Sequence, residues 1–184
     1  MSLKKVIIHI YAIFSQWLSR GILGFICFQD DSTRVLALLF ALTWGIGSIV
    51  QGKLSDEKSS RKKIILITQC SLVASCILAY FGIVRGSNEI PIVILATSLV
   101  LNGAFGNSSP ALTAHIMDCG VDQKKAISWL LVTRQFGLVV GILVGLLSAK
   151  LALGMTVLAN CSSLFLMHKL FATEALTSNQ NIES

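Results

Sequence analysis

Six long apolar runs divide this chain, and their length is the constraint every other reading must satisfy. The hydrocarbon core of a bilayer is about 30 Å thick and takes about 20 apolar residues of helix to cross. Runs that meet this requirement lie approximately at 6–28, 35–51, 64–84, 90–116, 127–148 and 151–170. They lack the ten-residue alternation of a membrane barrel. A helix satisfies all its backbone groups internally, which lipid demands. Charged residues make up only 13% of the chain, where a soluble domain carries about 25%. The expected fold class is an all-α membrane protein with six transmembrane helices in one domain, 1–172. A polar tail over 173–184 is expected to be disordered.

The net charge of +6 would suggest nucleic acid if the cations were clustered on a soluble surface. They alternate instead with the apolar runs. Lys4 and Lys5, the five Lys/Arg between Gly52 and Lys63, Lys124 and Lys125, and Lys169 all fall on one side of the expected membrane. The other side has Arg34, Arg85 and Lys150 beside Asp30, Asp31 and Glu89. Short loops biased this way mark the cytoplasmic side. Both termini are therefore expected in the cytoplasm, and nucleic acid is not an expected partner. Lys4 and Lys5 precede an apolar run with no small-residue cleavage site after it, so this run reads as a retained first helix.

Cys27, Cys70, Cys76, Cys119 and Cys161 include no CxxC pair, and His9, His115 and His168 are scattered. Neither set suggests a disulfide framework or a metal site. Nucleophile elbows, phosphate loops and metal-binding helices are likewise missing from the pattern. Neither enzyme activity nor a cofactor or metal is expected.

Two motifs are more specific. The first is Gly52-Lys-Leu-Ser-Asp56, followed by Arg61-Lys-Lys63 and an apolar helix. The second runs from Asn102-Gly-Ala-Phe-Gly106 through Pro110 to Asp118, followed by Lys124-Lys125 and the next helix. Together they resemble the loop between helices two and three, and the fourth helix, of the major facilitator superfamily. The resemblance covers nearly the whole chain and implies one six-helix half of such a transporter. Those transporters place the solute between two halves that rock alternately. By resemblance, Gly52, Asp56, Arg61 and Asp118 form a conformational latch on the cytoplasmic face, with Arg61 and Asp118 as partners. Ser59 and Ser60 depart from the family's glycine and arginine, so Arg61 sits one place late. Leu99 stands where many proton-coupled relatives have arginine, and Ile142 where drug antiporters have proline.

Within the apolar runs, Gly137, Gly141 and Gly145 form one small face, the pattern of close helix packing in lipid. Gly52 is expected to admit a close helix approach in the same way. Pro110 frees a carbonyl and permits a kink that neighbouring helices must satisfy. An arginine near a helix centre costs about 2.5–3.5 kcal/mol on insertion scales, so it faces a cavity or a partner. Arg20 lies on a polar stripe with His9, Gln16 and Gly24, and Asn102 lies on another with Ser98, Gly106, Ser109 and Thr113. Gln16, Arg20, Asn102 and Arg134 are the expected substrate contacts, and a guanidinium fork suits an anion. The alternative for each arginine is snorkelling or bonding to helix carbonyls.

The expected function is secondary active transport of a small, anionic solute across a bacterial inner membrane. It would require a second six-helix half or a second copy of the chain. A non-transporting remnant and a membrane-embedded assembly or binding subunit are the alternatives.

Overall fold

Every regular element among the described residues 3–29, 31–85 and 92–180 of the computed structural model is an α-helix. In chain order these are α1 (Leu3–Phe28), α2 (Asp31–Ser55), α3 (Lys58–Arg85), α4 (Ile92–Phe105), α5 (Ser109–Asp118), α6 (Gln123–Leu147) and α7 (Ala149–Gln180). With α4 and α5 taken as one, they form six spans long and apolar enough to cross a membrane. The chain is a multi-pass membrane protein. Most helices run past the apolar cores because backbone hydrogen bonding continues into the polar interface, where hydropathy no longer marks it. Asp30, Glu89 and most of the expected loop 85–89 lie outside the described residues.

Helix α1 is the hub. It is buried along most of its length and packs on α6 and α7, with α3 and α4 closing the core around it. One apolar cluster joins Ile13 and Trp17 to Ile65, Leu112 and Met167; the other joins Ile22 and Leu23 to Leu95, Leu99 and Leu153. Polar side chains stitch the interior. Asn160 donates to Ser19 Oγ at 2.7 Å, and Ser75 and Ser98 each donate to the other's carbonyl at 2.9 Å.

The glycine stripe of α6 makes a close crossing with α1. A Cβ on Gly137 would lie 2.9 Å from the Phe14 carbonyl, and one on Gly145 would lie 2.8 Å from the Phe25 ring. At Gly141 it would strike the Leu18 carbonyl and the Cα of Gly21, which faces it from α1. Gly47 and Gly103 do the same service between α2 and α4. Gly52 does not: a Cβ there would meet nothing within 4 Å. The close approach expected at Gly52 is thus corrected. The residue lies in the last turn of α2, which continues to Ser55 and turns that position toward open space.

Two further expectations are corrected. The helix expected over 90–116 is interrupted at 106–108, for a reason that belongs to the candidate site. The tail expected to be disordered from residue 173 is helical as far as Gln180, with 181–184 outside the described residues. Glu174 holds it there by pairing with Lys5 on α1 at 2.9 Å and with Lys62 on α3 at 2.8 Å. Composition read the segment as polar and missed that one of its acids has two cations to meet.

The α5–α6 turn follows from its residues. Gly120 adopts φ 85°, a conformation other residues rarely tolerate. Its N–H donates to the Met117 carbonyl at 2.9 Å, and the Val121 N–H donates to that of Ile116 at 3.4 Å. This double bond pattern closes a helix C-terminus. Asp122 then caps α6 by accepting from the Lys125 N–H at 3.2 Å.

Overpacking a close crossing costs about 1–3 kcal/mol. Gly141→Ala is expected to lower the unfolding free energy of the purified protein in detergent by that much, while Gly52→Ala leaves it unchanged or slightly higher. Equal behaviour of the two variants would refute the assignment of the α6 glycines to packing.

Candidate functional site

The site begins with a missing N–H. Pro110, in the first turn of α5, cannot donate to the carbonyl four residues back, and its ring crowds that position. That carbonyl belongs to Gly106, and the helix opens over 106–108 instead of passing through. In lipid, freed carbonyls must be met from neighbouring helices. Gly106 O accepts from Arg20 Nη2 at 3.0 Å and from Gln16 Nε2, both on α1. Ala104 O accepts from Gln51 Nε2 of α2 at 3.0 Å. Gln16 Oε1 in turn accepts from Ser109 Oγ at 3.3 Å and Ser108 Oγ at 3.5 Å. Asn107 Nδ2 donates to Ser48 Oγ of α2 at 2.6 Å.

Above this break two arginines meet two tryptophans. The guanidinium carbons of Arg20 and Arg134 lie 4.4 and 4.0 Å from the centroid of Trp17, and 5.6 and 5.9 Å from that of Trp44. The two indoles pack edge to face, 6.2 Å apart. Such cation–π contacts are worth up to about 2 kcal/mol each when desolvated. They explain how two like charges share one place in lipid.

The cluster stands between two cavities, both lined by Trp17 and Trp44. One, of about 360 Å³, is bounded by Asn107, Ser109, Thr113 and Met117 and carries Arg134. The other, of about 250 Å³, is bounded by Gly24, Ala37, Phe40, Leu99 and Leu138 and carries Arg20. Among the described residues, none that lines either cavity is acidic. Helices α2 and α6, the two most exposed spans, flank the groove in which both cavities lie.

Four donors here have no acceptor among the described residues: Arg20 Nε and Nη1, and the indole nitrogens of Trp17 and Trp44. Arg20 is only 3% exposed. A buried donor left unpaired costs about 1–3 kcal/mol, and more when charged. The arrangement is therefore complementary to an acceptor that brings negative charge.

Of the expected substrate contacts, the structure brings Arg20 and Arg134 together. Gln16 is committed to the α4–α5 break and lines neither cavity. Asn102 is fully buried with neither side-chain polar atom partnered among the described residues, but it too lines neither cavity. Arg20 meets the alternative set beside substrate contact, since one nitrogen holds a helix carbonyl, while its Nε and Nη1 are buried without an acceptor among the described residues. Trp17 and Trp44 are not among the residues the sequence pattern singles out. The available signal was that Trp17 and Arg20 sit three residues apart on one helix, where side chains are neighbours.

At one end of the bundle lies a second charged cluster. Arg61 Nη1 forms an ion pair with Asp118, while its Nε donates to the Ser55 carbonyl at 2.6 Å and caps α2. Gly52 and Asp56 lie in the same turn region, with the Asp56 carbonyl 3.5 Å from Arg61 Nη2. Glu174, paired with Lys5 and Lys62, is also 3.6 Å from His115 Nε2, and the His115 ring lies 5.1 Å from that of His9. His115, Cys119 and Glu174 bring potential metal ligands within 4.8 Å of one another. Two ammonium groups already hold that carboxylate, and burial pushes the Cys119 thiol up, away from thiolate. The chemistry is that of an ion-paired clamp more than of a cation site.

Comparison with known protein families, curated proteins and solved structures returns no match in any of the three.

The break itself is open to test. Gln16→Leu removes a donor from Gly106 O and an acceptor from two serines, and is expected to lower stability by about 1–3 kcal/mol. In a Pro110→Ala background, where a backbone N–H is restored, the same change should cost measurably less. Equal costs in both backgrounds would show that Gln16 does not answer the proline.

Proposed function

We propose that this chain is one half of a transporter of the major facilitator type, and that it carries a small anion through the groove between α2 and α6. The observation that carries the reading is buried Arg20 beside half-buried Arg134 against Trp17 and Trp44, with donors that have no acceptor among the described residues and no described acid lining either cavity. The freed carbonyl engages only one nitrogen of Arg20, and a cargo with negative charge would engage the remaining donors of both guanidinium groups.

The motifs set out above supply the rest. Arg61 and Asp118, paired across α3 and α5, take the place of the family's latch, with Asp56 and Gly52 beside them. The ion pairs put the starts of α1 and α3 and the ends of α5 and α7 at one end of the bundle. That end is basic, and the charge bias supports a cytoplasmic position for it and both termini; the membrane in this reading is a bacterial inner membrane. A second six-helix unit, or a second copy of the chain, would cover the open groove and complete the path. The latch pair would then open and close the cytoplasmic mouth as the halves rock.

Anion binding and transport are both measurable. Sodium phosphate or a sodium carboxylate is expected to raise the unfolding midpoint over equimolar sodium chloride, because a ligand at ten times its Kd stabilises by about 1.4 kcal/mol. Arg134→Gln should erase the difference. In proteoliposomes, uptake of the stabilising anion should fall at least tenfold in the same variant. Wild-type stability indifferent to every anion tried, together with unchanged uptake in Arg134→Gln, would sink the proposal.

A further inference from the structure

We infer that the anion is a monocarboxylate carrying a single aromatic ring or a hydrocarbon body of that size, and that the cavity beside Gly24 receives this body. The inference rests on the anion-site reading above and narrows it to a chemical class.

The donors decide the head group. The cavity carrying Arg134 looks polar, yet most of its neutral hydrogens are already used. Thr113 Oγ donates to the Ser109 carbonyl at 2.8 Å, Ser109 Oγ to Gln16 Oε1 at 3.3 Å, and Asn107 Nδ2 to Ser48 Oγ at 2.6 Å. What remains is the guanidinium of Arg134, two nitrogens of Arg20 and two indole N–H groups, gathered around one Trp17 ring. A carboxylate has two oxygens in a plane and matches a guanidinium fork. Phosphate has more oxygens and more charge to satisfy, and the hydroxyls that would serve them are taken. One carboxylate is the group these donors suit.

The second cavity decides the body. Apart from Arg20, the indoles and Cys27, its lining is hydrocarbon: Gly24, Phe28, Ala37, Phe40, Leu99 and Leu138. Its volume is about 250 Å³. An engineered apolar cavity of about 150 Å³ in another protein holds benzene, so one ring with small substituents fits here and a fused polycyclic skeleton does not. Burying such a ring is favourable in proportion to its apolar area. The edges and faces of Trp17, Trp44 and Phe40 offer the offset and edge-to-face contacts aromatic rings prefer. An ion without a body would leave this wall unused.

Gly24 gives the inference a clean handle. It lines the cavity, and a Cβ there would meet nothing within 4 Å. The first carbon of a side chain at position 24 thus meets no backbone, Gly24→Leu takes up cavity space, and leucine suits a helix better than glycine. The full chain in detergent, in a Trp129→Phe background, reports binding through the fluorescence of Trp17 and Trp44. Sodium benzoate is the probe, compared with acetate, phosphate and neutral benzamide. Benzoate is expected to bind at least tenfold more tightly than the other three. Gly24→Leu should weaken benzoate at least tenfold and leave acetate within twofold, while Arg134→Gln should abolish benzoate binding. Phosphate or acetate binding as well as benzoate, or benzoate indifferent to Gly24→Leu, would overturn the class but leave the anion site standing. Benzamide binding equal to benzoate, or benzoate unaffected by Arg134→Gln, would overturn both.

Discussion

The carbonyl of Gly106 is the hinge of the whole arrangement. Pro110 cannot bond it, lipid cannot bond it, and the helix opens around it. Gln16 and Arg20 reach across from α1 to do so. In consequence the central helix carries a charge into the bundle, and that charge needs neighbours of its own. Trp17, three residues earlier on the same helix, provides a face, and Trp44 on α2 provides another. With those indoles in place a second arginine can approach from α6, because cation–π attraction offsets part of the repulsion and the desolvation. One absent hydrogen thus leads, by successive local requirements, to a basic aromatic cluster that runs from buried Arg20 and Trp17 to half-buried Trp44 and Arg134.

The same chain of requirements sets what moves and what does not. Helices α1 and α6 are locked by glycines whose Cβ positions are filled by opposing backbone. Arg134 is therefore held at a fixed height against Trp17 along a rigid seam. Helix α2 is held mainly by α4, through Gly47 and Gly103, and by Gln51 and Ser48 at the break. Any rearrangement that re-forms the helix at 106–108 would withdraw partners from Gln51, Ser48, Gln16 and Arg20 together. The broken helix is thus the element through which occupation of the groove can be felt by α2. Arg61 extends the connection, since it caps α2 at Ser55 and pairs with Asp118 at the far end of α5.

Much of this was legible in the sequence, and the part that was not follows a pattern. Six spans follow from run length, and the close α6 face from the spacing of Gly137, Gly141 and Gly145. The freed carbonyl follows from Pro110. Contacts across helices were legible only where two unusual residues had to find one another. Arg61 and Asp118 came from a motif resemblance, whereas the fastening of Glu174 by Lys5 and Lys62 had no local signature, being 169 residues apart in the first case. Trp17 and Trp44 were passed over because a tryptophan in a lipid-facing run is ordinarily unremarkable. Gly52 misled for the opposite reason. Its motif promised a packing role, but which side of a helix a residue presents at its last turn depends on where the helix ends, and α2 ends three residues later.

The position of charge separates the two clusters in kind. At the end of the bundle, Lys5, Lys62, Arg61, Asp118 and Glu174 bring both signs together, so the protein satisfies itself there. Around Trp17 and Trp44 only one sign is present among the described residues that line the two cavities. An ion pair at the interface is closed chemistry and works as a fastening whose strength varies with its surroundings. An uncompensated pair of guanidinium groups in a low-dielectric groove is open chemistry, and its field falls on whatever enters. A solute that neutralises it would also relieve the repulsion between Arg20 and Arg134. Occupancy would then stabilise the α1–α6 seam at the level of the broken helix, while the end cluster keeps the helices in register around it.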